Sequence, residues 1–323
     1  MAVFTEVSFE EAAALIARVG LGELTHLQGI AGGIENTNYF ADTAQGRYVL
    51  TLFERLSAAQ LPFYLNLMQH LAARGLPVPG PKACASGSIL HKVAGKPAAV
   101  VDRLRGRHHL APDQSHCASV GAMLARLHLA CADFAMHQPN LRGLAWWAET
   151  VSVVLPFAGP AQRQLLEREL AFQQQVAASA AHAGLPRGVI HADLFRDNVM
   201  FEGAELTGLF DFYFAGVDCL ALDIAVCLND WCIALDTGRL DEDRATAFVA
   251  AYESVRPLAS GERRLMPAMQ RAAALRFWIS RLWDLHLPRD ASVLVAHDPA
   301  HFERVLRACI DAPWHPAAPA DPT

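Results

Sequence analysis

The chain has 323 residues, of which 53% are hydrophobic and 19% charged, and this predicts two domains or one large two-lobed domain around a packed core. Its formal net charge is −6, and only three of its 27 basic residues are lysines, so composition argues against a nucleic-acid partner. The longest apolar run, 219–235, is too short and too acidic to cross a membrane.

The seven cysteines are odd in number and show no CxxC or Cys/His spacing, so neither a disulfide framework nor a zinc site is predicted. Residues 1–6 lack a basic stretch followed by an apolar core, and no signal peptide is indicated. We therefore expect a reduced, cytoplasmic protein.

The first hundred residues predict a small, mostly antiparallel sheet with one crossing helix. Ser8 is the expected cap of the first helix, and Ser57 with Gln60 has the spacing of a capping box at the second. In chain order the pattern predicts a helix at 8–19, a glycine-rich turn and an alternating strand within 29–40, a strand at 48–53, a helix at 57–74, and strands at 88–93 and 98–102.

The glycine-rich turn is a candidate phosphate-binding loop. Glycines such as Gly32 and Gly33 let backbone amides approach a phosphate, and Asn36 and Asn38 add polar donors. Glycines between strands more often mark ordinary turns, so this pattern alone is weak evidence.

From residue 107 onward the pattern is mainly helical. Helices are predicted at 113–131, 160–181, 219–235, 241–255, 261–286 and 301–310. The expected division is an N-terminal lobe at 1–102, a hinge at 103–106, a helical lobe at 107–312 and a disordered Pro/Ala-rich tail at 313–323.

The pattern H-x-D-x-x-x-x-N at 191–198, followed by Asp211, is the strongest chemical signal. It matches the kinase template in which an Asp (here Asp193) accepts the substrate hydroxyl's proton, while an Asn and a second Asp hold magnesium. Strands at 199–201 and 205–210 around a turn would place Asn198 and Asp211 side by side, where their oxygens suit a hard cation. The alternative is a polar loop before an ordinary hairpin.

Several stretches together resemble the bacterial homoserine kinases of the aminoglycoside-phosphotransferase-like group. They are GGIENTNYF, YVLTLFE, LPVP, HADLFRDNVMF, GLFDFYFAG, LDIAVCLNDWC and RFWISRLWD, and they run through nearly the whole chain. HADLFRDN and DF alone would specify only the superfamily. The resemblance implies an α+β, two-lobed, protein-kinase-like fold that phosphorylates L-homoserine with ATP and Mg²⁺, a step in threonine biosynthesis.

Within that framework further residues acquire expected roles. His191 would brace the catalytic loop. Asp223 would do the same, because a carboxylate in an apolar helix needs hydrogen-bond donors and the loop backbone can supply them. Arg196 would meet the transferring phosphoryl group, or it is a surface arginine. The connector, which is the segment 102–106 where the last strand of the first lobe passes into the hinge, would present the backbone of Asp102 and Arg103 to the adenine ring.

One departure concerns the nucleotide phosphates. The strand position that usually carries a lysine corresponds to Thr51, which has no charge. We expect Thr51 to contact the nucleotide and another group to supply the charge. The candidates are Arg47, Arg55, Lys92 and Lys96, and the sequence does not choose among them.

The substrate site is predicted from the charges of homoserine. Tyr213 should lie near the metal, and Asn229, Asp230 and Trp231 are candidates for the ammonium side of the pocket. Arg276 and Arg281, on a late helix, would close the pocket from the other side; alternatively that helix carries core aromatics and solvated arginines.

Two alternative functions stay open. One is a kinase for another small amino alcohol or an aminoglycoside, and the other is a nucleotide-binding regulator without catalysis. Oligomeric state does not follow from the sequence.

Overall fold

The computed structural model describes residues 5–30, 36–287 and 298–317. The chain divides into two compact units. Within the described residues, unit 1 comprises 5–30, 36–106 and 207–210, and unit 2 comprises 107–206, 211–287 and 298–317. Of the predicted disordered tail, residues 318–323 lie outside the described residues.

Unit 1 is built on a five-stranded antiparallel sheet with the strand order β1-β2-β3-β5-β4. Its elements are α1 (Phe9–Val19), β1 (Leu24–Gly29), β2 (Asn36–Thr43), β3 (Gly46–Phe53), α2 (Leu61–Ala73), β4 (His91–Val93) and β5 (Lys96–Asp102). The predicted fold class, an antiparallel sheet followed by a mostly helical remainder, is confirmed.

One face of this sheet forms a hydrophobic core with α1. Leu15 and Ile16 of α1 pack in the same buried cluster as Leu50 and Leu52 of β3. Because side chains alternate along a strand, Thr51 belongs to the opposite face. The sheet therefore has a dry α1 face and a second face with polar positions.

Two boundaries in unit 1 differ from expectation for local reasons. Strand β1 is absent from the predicted elements, because only Leu24 in it is buried and its polar residues give no alternating pattern. Helix α2 begins at Leu61 rather than Ser57: the Gln60 side chain accepts hydrogen bonds from Ser57, which makes a separate turn before the helix. Pro62 then fits the first helical turn, where its missing N–H costs nothing.

Unit 2 is mainly helical. Its elements are α3 (Gln114–Ala130), α4 (Leu144–Val154), α5 (Pro160–Ala177), α6 (Ala180–Ala183), β6 (Arg187–Ile190), β7 (Val199–Glu202), β8 (Glu205–Leu209, whose last residues are counted in unit 1), β9 (Gly216–Cys219), α7 (Leu220–Trp231), α8 (Glu242–Glu253), α9 (Ser260–His286) and α10 (Ala300–Asp311). The sequence predicted neither α4 nor the short pair formed by β6 and β9. The predicted hairpin is confirmed by the pairing of β7 with β8, with Gly203 at φ 62° in its turn.

Close packing of α3 against α8 requires a glycine. A Cβ added at Gly121 would lie 2.1 Å from the carbonyl oxygen of Phe248, which is inside any allowed contact. Helix α9 packs against α4, α7 and α10 and so occupies the middle of the unit. Among the described residues, no helix combines the length and the apolar character needed to span a membrane.

Candidate active site

The predicted catalytic loop lies between β6 and β7 and is closed by its own hydrogen bonds. The Asn198 backbone N donates to Phe195 O at 2.9 Å, and the Asn198 side-chain amide donates to Asp193 O at 2.8 Å. Because the side-chain nitrogen of Asn198 donates inside the loop, its side-chain oxygen stays available to coordinate a cation.

Asp223, at the beginning of α7, holds the backbone of this loop through hydrogen bonds. Its carboxylate accepts hydrogen bonds of 2.8 Å from the backbone N of both His191 and Ala192, and His128 Nε2 donates to it at 3.1 Å. Burial would raise the pKa of Asp223, but the hydrogen bonds from His128 and from the backbone N of His191 lower it below its usual range. The predicted bracing by Asp223 is confirmed.

His191 is also part of the loop's support. Its side chain is fully buried, its Nδ1 accepts from the backbone N of Asp193 at 3.3 Å, and its ring lies 4.5 Å from that of Phe212. These contacts fit bracing rather than proton transfer.

Arg196 is enclosed in unit 2. Its backbone N and its Nε donate to Asp230 Oδ2 at 2.8 and 3.1 Å, and its Nη1 donates to Leu110 O at 2.9 Å. With 7% of the residue exposed, the surface-arginine alternative is wrong. Its contact with a phosphoryl group stays a prediction.

The three consecutive residues at 229–231, predicted for the substrate, point in different directions. Asn229 donates to Gln270 O at 2.7 Å, Asp230 accepts from Arg196, and Trp231 Nε1 donates to Leu194 O at 2.9 Å. Successive helical positions are about 100° apart, so adjacent residues cannot all face one ligand. Burial raises the pKa of Asp230 despite the neighbouring guanidinium. Their substrate roles stay predictions, and Asp230 Oδ2 is already engaged by Arg196.

Arg276, on α9, is the predicted substrate residue that the structure brings to Asp193. Its Nη1 lies 3.5 Å from Asp193 Oδ1, and its guanidinium lies 3.7 Å from the ring centre of Phe277 and 5.2 Å from that of Phe214. Only 6% of the residue is exposed, so the solvated-arginine alternative is wrong for this position. A buried cation is thereby paired with the candidate base.

Arg281 faces a different neighbourhood on the same helix. Its Nη1 donates to Asp298 O at 3.2 Å and its guanidinium lies over the ring of Phe302 at 4.4 Å. Burial lowers its pKa, although nearby carboxylates oppose the shift.

Asp211 has a left-handed backbone, φ 65°, directly before a short 3₁₀ turn, Phe212–Phe214. Half-buried Tyr213 follows it, and burial together with the Asp211 charge raises the Tyr213 pKa. No group of three His, Cys, Asp or Glu side chains suited to a metal occurs in the described part of the chain. The oxygen donors of Asn198 and Asp211 fit a hard cation that keeps phosphate and water ligands.

In unit 1 the predicted nucleotide residues form a neutral pair. Thr51 Oγ1 donates to Asn38 Oδ1 at 2.7 Å, and the two residues are opposite each other on β3 and β2. Asn36 is opposite Phe53 at the end of the same ladder. Gly32 and Gly33 lie outside the described residues.

Two lysines of unit 1 are paired with carboxylates. Lys96 pairs with Glu54 at 3.2 Å and, by strand alternation with Ala98 and Val100 of the core cluster, belongs to the α1 face. Lys82 pairs with Asp102 at 2.7 Å. Lys96 therefore lies on the sheet face opposite to that of Thr51.

The connector residues are held by unit 1 itself. Arg103 N donates to Arg47 O at 3.1 Å, and its guanidinium lies 3.8 Å from the Phe40 ring centre and 3.6 Å from Asp42 Oδ1. Asp102 N donates to Gly80 O at 3.3 Å. Adenine recognition by this segment stays a prediction.

Comparison with known proteins first defines the class. The family described as "Phosphotransferase enzyme family" matches residues 26–258. Among solved structures, an amicoumacin kinase (16% identity, 94% of each chain, TM-score 0.68) and a spectinomycin phosphotransferase (11% identity, 95% of this chain and 98% of the other, TM-score 0.69) share the fold. Fold and family thus define a phosphotransferase of the kinase type.

Curated relatives narrow the class further. The homoserine kinase of Polaromonas naphthalenivorans is 65% identical over 314 residues, covering 97% of this chain and 99% of the relative. That of Janthinobacterium sp. (strain Marseille) is 53% identical over 311 residues, covering 96% and 97%. The chain belongs to the homoserine kinase family.

Proposed function

We propose that the chain transfers the γ-phosphoryl group of ATP to the hydroxyl of L-homoserine, giving O-phospho-L-homoserine and ADP. The reaction is a step in threonine biosynthesis, and we place it in the cytoplasm. The structural observation that carries the choice of acceptor is the ion pair between the buried Arg276 and Asp193, because it puts an anion-binding group beside the candidate base.

Asp193 performs the proton transfer in this proposal. It orients the substrate hydroxyl and accepts its proton as the oxygen forms a bond to the γ-phosphorus and the bond to the ADP oxygen breaks. The loop backbone, braced by Asp223, keeps the carboxylate in place.

Asn198 and Asp211 are the residues that would hold Mg²⁺. Bound with ATP, the ion supplies neutralisation of the phosphate charge that otherwise repels an incoming hydroxyl oxygen. The amide oxygen and the carboxylate would provide two hard donors to the ion.

Arg276 is the proposed carboxylate anchor. A guanidinium presents a planar fork that matches a carboxylate, and here it is desolvated against two aromatic rings. In homoserine three carbon atoms separate the carboxyl carbon from the hydroxyl oxygen. One molecule can therefore reach both Arg276 and Asp193, which are neighbours in unit 2.

In unit 1 the proposed nucleotide residues are the Thr51–Asn38 pair and Asn36, with the amides of Gly32 and Gly33 and the connector residues Asp102 and Arg103. The amide nitrogen of Asn38 offers a neutral donor and the Thr51 hydroxyl oxygen a neutral acceptor, rather than a fixed charge.

Both alternatives are disfavoured by particular residues. An aminoglycoside is polycationic and requires several carboxylates in its binding site. The residue next to the candidate base Asp193 is instead a buried arginine, Arg276. A regulator without catalysis has no need of the complete Asp193, Asn198 and Asp211 set.

The test is ADP release with homoserine and its two truncated analogues. 3-Amino-1-propanol lacks the carboxylate and 4-hydroxybutyrate lacks the amine. Homoserine should be the best acceptor by kcat/KM, and a better rate with an aminoglycoside or with choline would contradict the proposal.

The Arg276→Gln variant makes the anchor testable with the same three acceptors. It should lower kcat/KM for homoserine and 4-hydroxybutyrate by about 10- to 100-fold, the usual loss of a charge-assisted pair, and change 3-amino-1-propanol much less. An equal loss on all three acceptors would show that Arg276 acts on Asp193 or the fold and not on the substrate carboxylate.

A further inference from the structure

A chain of buried side chains leads away from the catalytic loop through unit 2. Asp223 holds the loop, His128 on α3 donates to Asp223, and Tyr252 on α8 lies 2.7 Å from the other nitrogen of that imidazole, Nδ1. None of the three residues is more than 5% exposed. No sequence pattern indicates His128 or Tyr252, because 124 positions separate them.

This series of hydrogen-bonded side chains continues from Tyr252 to the beginning of α9. Arg256 Nη1 donates to the Tyr252 hydroxyl oxygen at 2.9 Å, and the same guanidinium donates to both oxygens of Glu262 at 3.0 and 3.2 Å. Glu262 is fully buried, and it also accepts from the backbone N of Ala259, the N-cap of α9, at 2.9 Å. Catalytic loop and α9 are thus joined by continuous hydrogen bonds.

The direction of each bond follows from the two ends. The Asp223 carboxylate only accepts, so His128 Nε2 must donate and carry the imidazole hydrogen. Arg256 only donates, so the Tyr252 oxygen accepts from it. The Tyr252 hydroxyl hydrogen is then directed to Nδ1 of His128, which has a lone pair in this tautomer. One tautomer and one hydroxyl orientation satisfy the whole chain.

The backbone of the catalytic loop, which these hydrogen bonds support, is strained at Ala192. Ala192 has φ 64°, in the left-handed region that residues with a Cβ rarely adopt, and its N donates to Asp223 Oδ1. Asp193 follows directly, so the direction of its carboxylate depends on this conformation. Helix α9 also carries Arg276, which contacts the same carboxylate.

We propose that Tyr252 is a positioning residue for phosphoryl transfer. Its hydroxyl keeps His128 in the tautomer that braces Asp223, and its bond to Arg256 ties the catalytic loop to the helix that presents Arg276. Asp193 and Arg276 are thereby connected in two ways: by their direct ion pair and by the series of hydrogen bonds through Tyr252. The inference rests on the proposed function only for the acceptor used in the activity assay.

The kinetic test compares Tyr252→Phe, His128→Gln and the double variant. In His128→Gln the new side chain keeps an amide donor for Asp223 but offers Tyr252 no Nδ1 acceptor. Tyr252→Phe should lower kcat about tenfold through misplacement of the base and leave the KM for ATP within about twofold. Because the hydroxyl acts through His128, the double variant should be no slower than His128→Gln. Losses that multiply would overturn the proposal.

Tyr39→Phe is the matched control. Tyr39 is a buried tyrosine of unit 1 whose hydroxyl accepts from Val7 N and donates to Thr5 O, both at 3.0 Å. Its loss should lower the melting temperature and leave kcat per folded molecule unchanged. If Tyr39→Phe lowers kcat as much as Tyr252→Phe does, the effect is general loosening and the positioning role is wrong.

A spectroscopic readout separates this inference from the proposed function. In ¹⁵N-histidine-labelled wild-type protein without substrate, His128 should show the Nε2–H tautomer, and Tyr252→Phe should shift or broaden that signal. An Nδ1–H tautomer in the wild type would show that these hydrogen bonds run in another direction. That result would overturn the proposal whatever the substrate is. If the tautomer is as expected but homoserine is not phosphorylated, the proposed function alone fails, and the kinetic comparison uses the best acceptor of the panel.

Discussion

The candidate nucleotide face of unit 1 and the transfer site of unit 2 are made from different kinds of side chain. On β2 and β3 the two predicted nucleotide side chains, Thr51 and Asn38, are joined by a neutral hydrogen bond. In unit 2 the corresponding contacts join charged groups, such as Arg276 with Asp193 and Arg196 with Asp230. Most of these charged groups are buried.

The difference predicts where substitutions are costly. A buried charge whose partner is removed incurs its full desolvation cost, whereas a neutral pair loses only a modest net hydrogen bond. Two of the functional groups of unit 2 are also held by other elements: Asp223 on α7 holds the catalytic loop, and Arg276 on α9 contacts Asp193. Substitutions at the transfer site should therefore outweigh those on the nucleotide face.

The largest effect is expected for Asp211→Ala. Only the amide oxygen of Asn198 would remain from the proposed ligand pair, and Mg²⁺ is dehydrated reluctantly, so Mg²⁺-dependent ATP binding should be lost. Calorimetry with and without Mg²⁺ measures this. Unchanged Mg-ATP affinity would remove Asp211 from the ligand set.

Next in size is Asp193→Asn, which keeps the shape of the side chain and removes the base. It should lower kcat by about 10²–10⁴, the usual share of general-base catalysis, with ATP affinity nearly intact. Steady-state kinetics and nucleotide titration on the same preparation separate the two quantities. Turnover at the wild-type rate would mean that another group accepts the proton.

The smallest effect is expected on the nucleotide face. Thr51→Ala removes one buried hydroxyl contact and should cost roughly 1 kcal/mol of ATP binding, about a fivefold rise in KM. Lys96→Ala is the control from the α1 face, where Lys96 pairs with Glu54, and it should leave the KM for ATP unchanged. If Thr51→Ala abolishes ATP use, the contrast between the two regions fails, because Thr51 would then be a direct phosphate or metal contact.

Local patterns were the most predictable part of the fold. Ser8 caps α1 as expected, and Asp113 caps α3, since both caps depend on residues within one helical turn. Elements without a local pattern were missed. The edge strand β1 is one of them, and the two-residue offset of α6 from α5 after the Ser179 cap is another.

At the candidate site, spacing alone predicted the motif and its hairpin but not which distant side chains meet there. Asn229, Asp230 and Trp231 looked like one group because they are adjacent in sequence, yet the helix turns them toward Gln270, Arg196 and the catalytic loop. Arg276 was one of two equivalent arginines in the sequence. The fold distinguished them by placing Arg276 at Asp193 and Arg281 at Asp298.

The sequence by itself determined the residue types behind the proposed chemistry: a candidate base, two candidate oxygen ligands for a cation and a neutral residue where a lysine is usual. These properties depend on residue type and short spacing, which the chain carries before it folds. Only the tertiary structure decided which charges are paired, that Ala192 is held in a left-handed conformation by Asp223, and that His128 and Tyr252 support it. Those contacts join residues that are far apart in sequence, and packing of the helices is what brings them within hydrogen-bond distance.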